Sequence, residues 1–354
     1  MTTPFQIAIL GGDGIGPEVV AEGVKILRAV EALLSGVRFD LVEHSVGAGE
    51  FLRSGDPLPP TTLDRIREAD AILLGAMGLP SVRWPNGVEM TPQIDLREQL
   101  DLFNGVRPIQ LFHESHTPLK GYGATGRPID FVIIRENCEG LFSERLTPRP
   151  AGRDFETDTM KITRRGAERV CREAFKLALK RRKHCTLVDK ANVLPSMAFF
   201  RRIFDEVARE FPTVTTDRVY VDAMALFLVQ RPESFDVLVT ENMFGDILSD
   251  LAAGIIGGMG MAPSADVGET YGVFQPSHGT APTIAGKGIA NPIATILSVA
   301  MMLEWLDDPE TLRGARLIRD AVARVLANPD HRTADLGGKT STTQMGDLIC
   351  QALA

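Results

Sequence analysis

The chain has 354 residues, 44% hydrophobic and 24% charged, the proportions of an ordinary globular protein, and at that length two domains are expected rather than one core. Its net charge of −8 argues against a surface built to hold nucleic-acid phosphates, which requires clustered Lys and Arg. No run of about 18 uninterrupted apolar residues is present to span a membrane, the opening MTTPFQIAIL lacks a charged leader, and Cys138, Cys171, Cys185 and Cys350 are too scattered for a zinc knuckle or disulfide framework. A cytoplasmic protein is expected.

Strand-like and helix-like runs alternate from the start: QIAIL, a glycine turn, helical PEVVAEGVKILRAVEALL, strand-like VRFDLVEHSV and AILLGAM. A second such stretch follows, with FVIIRE, helical ITRRGAERVCREAFKLALKRR, CTLVDK, helical MAFFRRIFDEVAREF, a strand read as VYVDAMA, then DVLVTEN and a helix from Phe244. The last third holds a glycine-rich segment, the loop FQPSHGTAPTIAGKGIANP and two apolar helical patterns, Ala294 to Leu306 and Leu312 to Val325. The alternation reads as α/β, and polar Thr147 to Thr159 reads as an exposed excursion.

The turn Gly11-Gly12-Asp13-Gly14-Ile15-Gly16-Pro17-Glu18 follows a strand and opens a helix, as a dinucleotide loop should, yet it is not GxGxxG. Pro17 and Glu18 also set a carboxylate where a pyrophosphate would sit. In ENMFGDILSD, Asp246 and Asp250 stand at helical i and i+4 and share a face. Their repulsion costs about 0.2–0.5 kcal/mol unless a cation intervenes. A solvated helix face and a site for a hard divalent ion both fit this spacing, and Asp222 is the candidate third carboxylate. Arg97, Arg107 and Arg135 stand among apolar or turn residues, where they serve either structural ion pairs or a di- or tricarboxylate gripped by their forks. Lys190 after CTLVD is either a surface lysine or a general base whose pKa is lowered by partial burial. His278 lies in a loop rich in glycine and small hydroxyl residues.

Taken in order, GGDGIGPEV, DLREQLDLF…RP, IRENCEG, DKANVL, the Asp222 segment, ENMFGDILSD and HGTAPTIAGKGIANP resemble the β-decarboxylating dehydrogenases of isopropylmalate, isocitrate, homoisocitrate and tartrate/malate. The resemblance spans Ile7 to about Ala300 and implies a two-domain isopropylmalate-dehydrogenase-like α/β fold, not a Rossmann fold. It implies one domain from both chain ends (1–102 plus 257–354) and a central one (103–256) carrying the dimer interface and an intersubunit arm (about 145–165). It further implies a homodimer with shared active sites, a small hydroxy-di/tricarboxylate substrate, NAD (with NADP left open) and Mg²⁺ or Mn²⁺. By position, Arg97, Arg107 and Arg135 would grip the malate moiety, with Thr91 and Gln93 near its variable substituent. Asp246 and Asp250 of one subunit and Asp222 of the other would hold the metal, and the partner's Lys190 would take the hydroxyl proton. Ile15, Asn192, His278, Gly279, Thr280, Ala281 and Asn291 would bind the dinucleotide.

Some positions depart from the family pattern. The tyrosine that reprotonates the enol is Phe142, Cys138 replaces a threonine, and the usual Glu before the histidine-loop proline is Gln275. The acidic residue of NAD-dependent members is Thr283, and the Lys-Tyr pair of bacterial NADP-dependent isocitrate enzymes is absent at Thr283 and Ile284. With no cation there to meet a 2′-phosphate, NAD is expected. The expected activity is oxidative decarboxylation of a malate-type 2-hydroxy acid. Two alternatives stand beside it: oxidation with impaired decarboxylation because of Phe142, and a non-catalytic metabolite-binding or regulatory subunit, which the complete set of Asp, Lys and Arg disfavours.

Overall fold

The computed structural model describes residues 4–84, 87–123, 126–147 and 154–353. Ten strands form one mixed sheet: β1 (Phe5–Gly12), β2 (Phe39–Glu43), β3 (Ala71–Ala76), β4 (Asn104–Gln110), β5 (Asp130–Glu136), β6 (His184–Asp189), β7 (Thr215–Tyr220), β8 (Val237–Thr240), β9 (Pro263–Val267) and β10 (Gly272–Pro276). The helices are α1 (Gly16–Glu31), α2 (Ala48–Ser54), α3 (Pro60–Ile66), α4 (Pro92–Gln99), α5 (Arg164–Lys180), α6 (Pro195–Ala208), α7 (Val221–Gln230), α8 (Asn242–Ile255), α9 (Ile293–Trp305), α10 (Pro309–Leu326) and α11 (Thr342–Ala352). No described helix is long and apolar enough to cross a membrane.

The strand order is β2-β1-β3-β10-β9-β4-β5-β8-β6-β7. Both ends of the chain supply β2, β1, β3, β10 and β9, and the middle supplies the other five. The two sets meet where β4 pairs antiparallel with β9, Gly105 opposite Asp266. Burial follows pattern: every residue of central β3 is buried, and α5 buries Ala167, Val170, Cys171, Ala174, Phe175 and Ala178 at helical spacing against its half of the sheet. Pro309 at the start of α10 and the capping boxes of Asp308 and Ser341 mark where α10 and α11 begin.

One expected element differs. The strand before Asp222 ends at Tyr220, and Val221–Gln230 is helical, so Asp222 lies in the first turn of α7. The run VDAMALFLVQ lacks the alternation of a half-buried strand and is rich in Ala, Met and Leu, which favour a helix. The expected arm lies partly outside the described residues; within them, Gly140 forms an isolated bridge with Lys161.

The acidic residue of the glycine turn is held from outside it. Asp13 accepts backbone N–H bonds from Ala48 (2.7 Å), Gly49 (2.8 Å) and Gly78 (2.8 Å), joining the turn to α2 and to the loop after β3. Gly14 has φ +60°, and a Cβ there would lie 2.0 Å from the carbonyl oxygen of Thr280. That carbonyl accepts the N–H of Ile15 at 2.9 Å, tying the turn to the histidine loop. Removing the Asp13 carboxylate leaves three amides without their acceptor, so Asp13→Ala should cost about 3 kcal/mol or more. The denaturation midpoint reads this, and an unchanged midpoint would show that water replaces the carboxylate freely.

Candidate active site

A cavity of about 280 Å³ opens beside the β4–β9 seam. Arg97, Arg107 and Arg135 line it, with Asp246 and Asp250, and Gln93, Phe142, Gln275 and His278 complete much of the wall. The arginines come from α4, β4 and β5, so elements distant in sequence deliver three cations to one space.

Asp266 of β9 holds two of them. Its fully buried carboxylate accepts from Arg97 Nε (2.8 Å), Arg107 Nη2 (2.7 Å), Asn137 Nδ2 (2.7 Å) and Gln275 Nε2 (2.7 Å). Burial alone would push this carboxyl up, but the Arg107 and Arg97 guanidiniums outweigh it and hold it well below the usual carboxylate range. Arg107 also donates to the carbonyl of Ala265 at 3.0 Å. Arg97 engages Asp266 through Nε, and its two Nη atoms have no protein partner among the described residues. Sequence reasoning missed Asp266. A lone Asp inside the buried, small-residue strand PSADV was the available signal, because a charge there demands a partner.

Arg135 is held differently. Its Nε and Nη2 donate to Asn242 Oδ1 (3.0 and 2.7 Å), and Nη1 pairs with Asp246. Complete burial, with Arg97 as the next cause, lowers its pKa to about 10, which still leaves it charged near neutrality. Gly245 makes this possible: a Cβ there would approach Arg135 Cγ to 2.7 Å. The Phe142 ring lies 5.8 Å from the Arg135 guanidinium carbon, in cation–π range and with no hydroxyl to offer. The turn after Phe142 is pinned to α4 by Arg145, which pairs with Asp95 and Glu98.

Asp246 and Asp250 lie on one face of α8. Burial, then the charge of Asp246, raises the Asp250 carboxyl above its usual range, the mark of two carboxylates too close for comfort. A divalent ion would relieve that repulsion, and these oxygens fit it. They cannot complete the shell: among the described residues no group of three or more His, Cys, Asp or Glu is placed to hold a metal.

Other expected residues stand elsewhere. Lys190 and Asp222 do not line the cavity; they pair with each other at 2.5 Å, and the ammonium holds the exposed Asp222 carboxyl low. Asn192, two residues on, is exposed. Thr91 lines a separate depression with Asp95 and Arg145, whereas Gln93 does reach the cavity. His278 and Gly279 line the cavity, while Ile15 packs beside it against Ala281. Thr280 and Asn291 are buried, the latter donating to Asp335 at 3.0 Å. Ala281 holds φ +38°, a strained value for alanine, and His278 Nε2 is buried without a partner. The His278 ring is thus held at the cavity wall with one buried nitrogen left without a partner.

The fold and the site define an α/β protein in which three arginines and two carboxylates converge on one cavity. The chain belongs to the isocitrate/isopropylmalate dehydrogenase family, whose model matches residues 6–349. It is 44% identical over 355 residues to a 3-isopropylmalate dehydrogenase of Corynebacterium efficiens, covering 99% of both chains. It is 41% identical over 361 residues to one of Aquifex aeolicus, covering 99% of this chain and 97% of that one. Among solved structures, isocitrate dehydrogenase from Methylococcus capsulatus superposes with a TM-score of 0.87 at 36% identity, covering 99% of each chain. The protein is thus an oxidoreductase of the decarboxylating dehydrogenase family, and its fold is that family's, not a Rossmann fold.

Asp246→Asn should weaken Mn²⁺ binding at least about tenfold, read by electron paramagnetic resonance of the free ion. Unaltered affinity would place the cation away from α8.

Proposed function

We propose that the protein oxidises a malate-type 2-hydroxy acid with NAD and a divalent ion, and that the product loses CO₂. The observation that carries this reading is the convergence of three guanidiniums and the Asp246–Asp250 pair on one cavity. Arg97, Arg107 and Arg135 would bind the substrate carboxylates and orient its C2–H; a bound dinucleotide would supply the hydride acceptor. Asp246 and Asp250 would hold the divalent ion, which when bound would supply Lewis acidity toward the charge that develops on the substrate oxygen. Partial enclosure strengthens each of these contacts by excluding water. NAD is preferred to NADP because Thr283 and Ile284 offer no cation to a 2′-phosphate.

The active unit is a homodimer with shared sites. Leu226 and Val229 on α7 and Ile247 on α8 are exposed on neighbouring helices beside Asp246 and Asp250, an apolar face suited to a second copy. That copy would bring Asp222 to complete the metal shell and Lys190 to the hydroxyl proton; Lys190 would take that proton once Asp222 turns to the ion and releases it as the neutral amine. We assign 1–102 plus 257–354 to a cofactor-side domain and 103–256 to a central domain, in keeping with the division of the sheet at the β4–β9 seam.

A second reading has its own support. Phe142 stands in the cavity wall without a phenol, which favours oxidation with impaired protonation of the decarboxylated enol. Ser264 and Ser277, whose buried hydroxyls have no partner, are hydroxyl groups of the same wall.

An assay with Mn²⁺ and NAD⁺ against 3-isopropylmalate, isocitrate, D-malate and tartrate, counting CO₂ and NADH together, tests the reaction. One CO₂ per NADH is expected on the first reading and a deficit, repaired by Phe142→Tyr, on the second; no reduction with any acid removes both. Sharing of sites is tested by mixing inactive Lys190→Ala and Asp246→Asn chains through unfolding and refolding. Random pairing should return about a quarter of wild-type activity, since mixed dimers each regain one intact site. No recovery would place each site within one chain.

A further inference from the structure

We propose that Asp266 sets the charge this site accepts: by neutralising one of three guanidiniums from behind, it selects a malate core whose C3 substituent is uncharged. The inference rests on the reaction proposed above and names the substrate class within it.

The argument is a count of charges in a confined space. Arg97, Arg107 and Arg135 bring three positive charges to the cavity. Asp266 cancels one of them through direct bonds to Arg97 and Arg107. Asp246, which pairs with Arg135 here, and Asp250 would together offset a bound divalent ion, and the partner's Lys190 and the partner's Asp222 would offset each other. Two positive charges therefore remain for the substrate, and the two carboxylates of a malate core match them. A third carboxylate would enter a partly enclosed space without a counter-charge, at a desolvation cost that nothing repays. The remaining wall of one copy offers it none, since among the described lining residues the three arginines are the only Lys or Arg side chains and Gln93, Ile94, Met77 and Phe142 present an amide, aliphatic groups and a ring; the partner's Lys190 would arrive with its charge already met by the partner's Asp222.

Asp266 does not face the ligand. It is fully buried behind the guanidiniums and acts through them, so it is a positioning residue. The simplest competing role is purely structural, a carboxylate that only props two arginines. The two roles separate by selectivity, because a prop affects all substrates alike whereas a charge selector changes their ratio.

The test compares wild type, Asp266→Asn and the exchange variant Asp266→Asn/Gln275→Glu. Gln275 Nε2 lies 2.7 Å from Asp266 Oδ2, so the exchange keeps the amide–carboxylate contact and the net charge while moving the carboxylate one strand over. Wild type should favour 3-isopropylmalate or D-malate over isocitrate by at least about tenfold in kcat/KM, Asp266→Asn should narrow that ratio by a similar factor, and the exchange should restore it. Calorimetric titration of each acid with Mn²⁺ and no dinucleotide should rank affinities in the same order without turnover. A wild-type preference for isocitrate, or an equal loss for every acid in Asp266→Asn, overturns the proposal. Where Asp266→Asn does not fold, the exchange variant and the wild-type titration decide. Failure of all turnover with the calorimetric ranking intact would refute the dehydrogenase reading and leave the charge selection standing.

Discussion

A buried carboxylate at Asp266 is the point on which the site's geometry turns. Its two oxygens accept four bonds, from α4 through Arg97, β4 through Arg107, β10 through Gln275 and the residue after β5, Asn137. Such a charge is a poor device for stability alone, since desolvating the ion and its partners roughly cancels their attraction. It is a good device for holding guanidiniums at fixed angles in a place where water cannot. Arg97 and Arg107 repel each other and would splay apart; a shared carboxylate turns that repulsion into a fixed pair with donors left over on Arg97.

The position of that carboxylate in the sheet explains why the cavity lies where it does. β9 pairs antiparallel with both β4 and β10, and thereby joins strands drawn from the two ends of the chain to strands drawn from its middle. Asp266 sits opposite Gly105 on one side and Val273 on the other, so its side chain lies at the seam itself. Helices α4 and α8 contribute from either side, one with Arg97 and the other with the aspartate pair. The seam thus gathers groups that no single supersecondary unit could supply.

Much of this was legible in the sequence because the motif residues are fixed by their own local surroundings. The turn before α1, the ENMFGD start of α8 and the loop around His278 each depend on glycines, caps or aspartates close in sequence. Asp266 is of another kind: its guanidinium partners are 159 and 169 residues away, and nothing within β9 announces them. The start of α7 reads as strand when VYV is taken together with DAMA, whereas the longer run VDAMALFLVQ has helix-favouring Ala, Met and Leu without alternation, and the chain turns helical at Val221. The arginines show the same limit from the other side. Their residue type suggested a polyanion, but which of their charges remain free depends on a partner only the fold supplies.

The two halves of the expected metal and proton machinery are also separated by physics. Within one copy, Asp246 and Asp250 are left with mutual repulsion in a cavity wall, while Lys190 and Asp222 satisfy each other at an exposed edge. Each pair is incomplete in its own way: Asp246 meets Arg135 but Asp250 has no cation bonded to it among the described residues, and the other pair spends its charges on itself. Leu226 and Val229 follow Asp222 on α7 and Ile247 stands between Asp246 and Asp250 on α8, three exposed apolar side chains on a surface that water disfavours. Covering that surface with a second copy would relieve the hydrophobic exposure and bring the two incomplete pairs toward one another in the same event. Assembly and catalytic competence would then share one driving force, and a chain kept monomeric would retain its arginine clamp but not the means to use it.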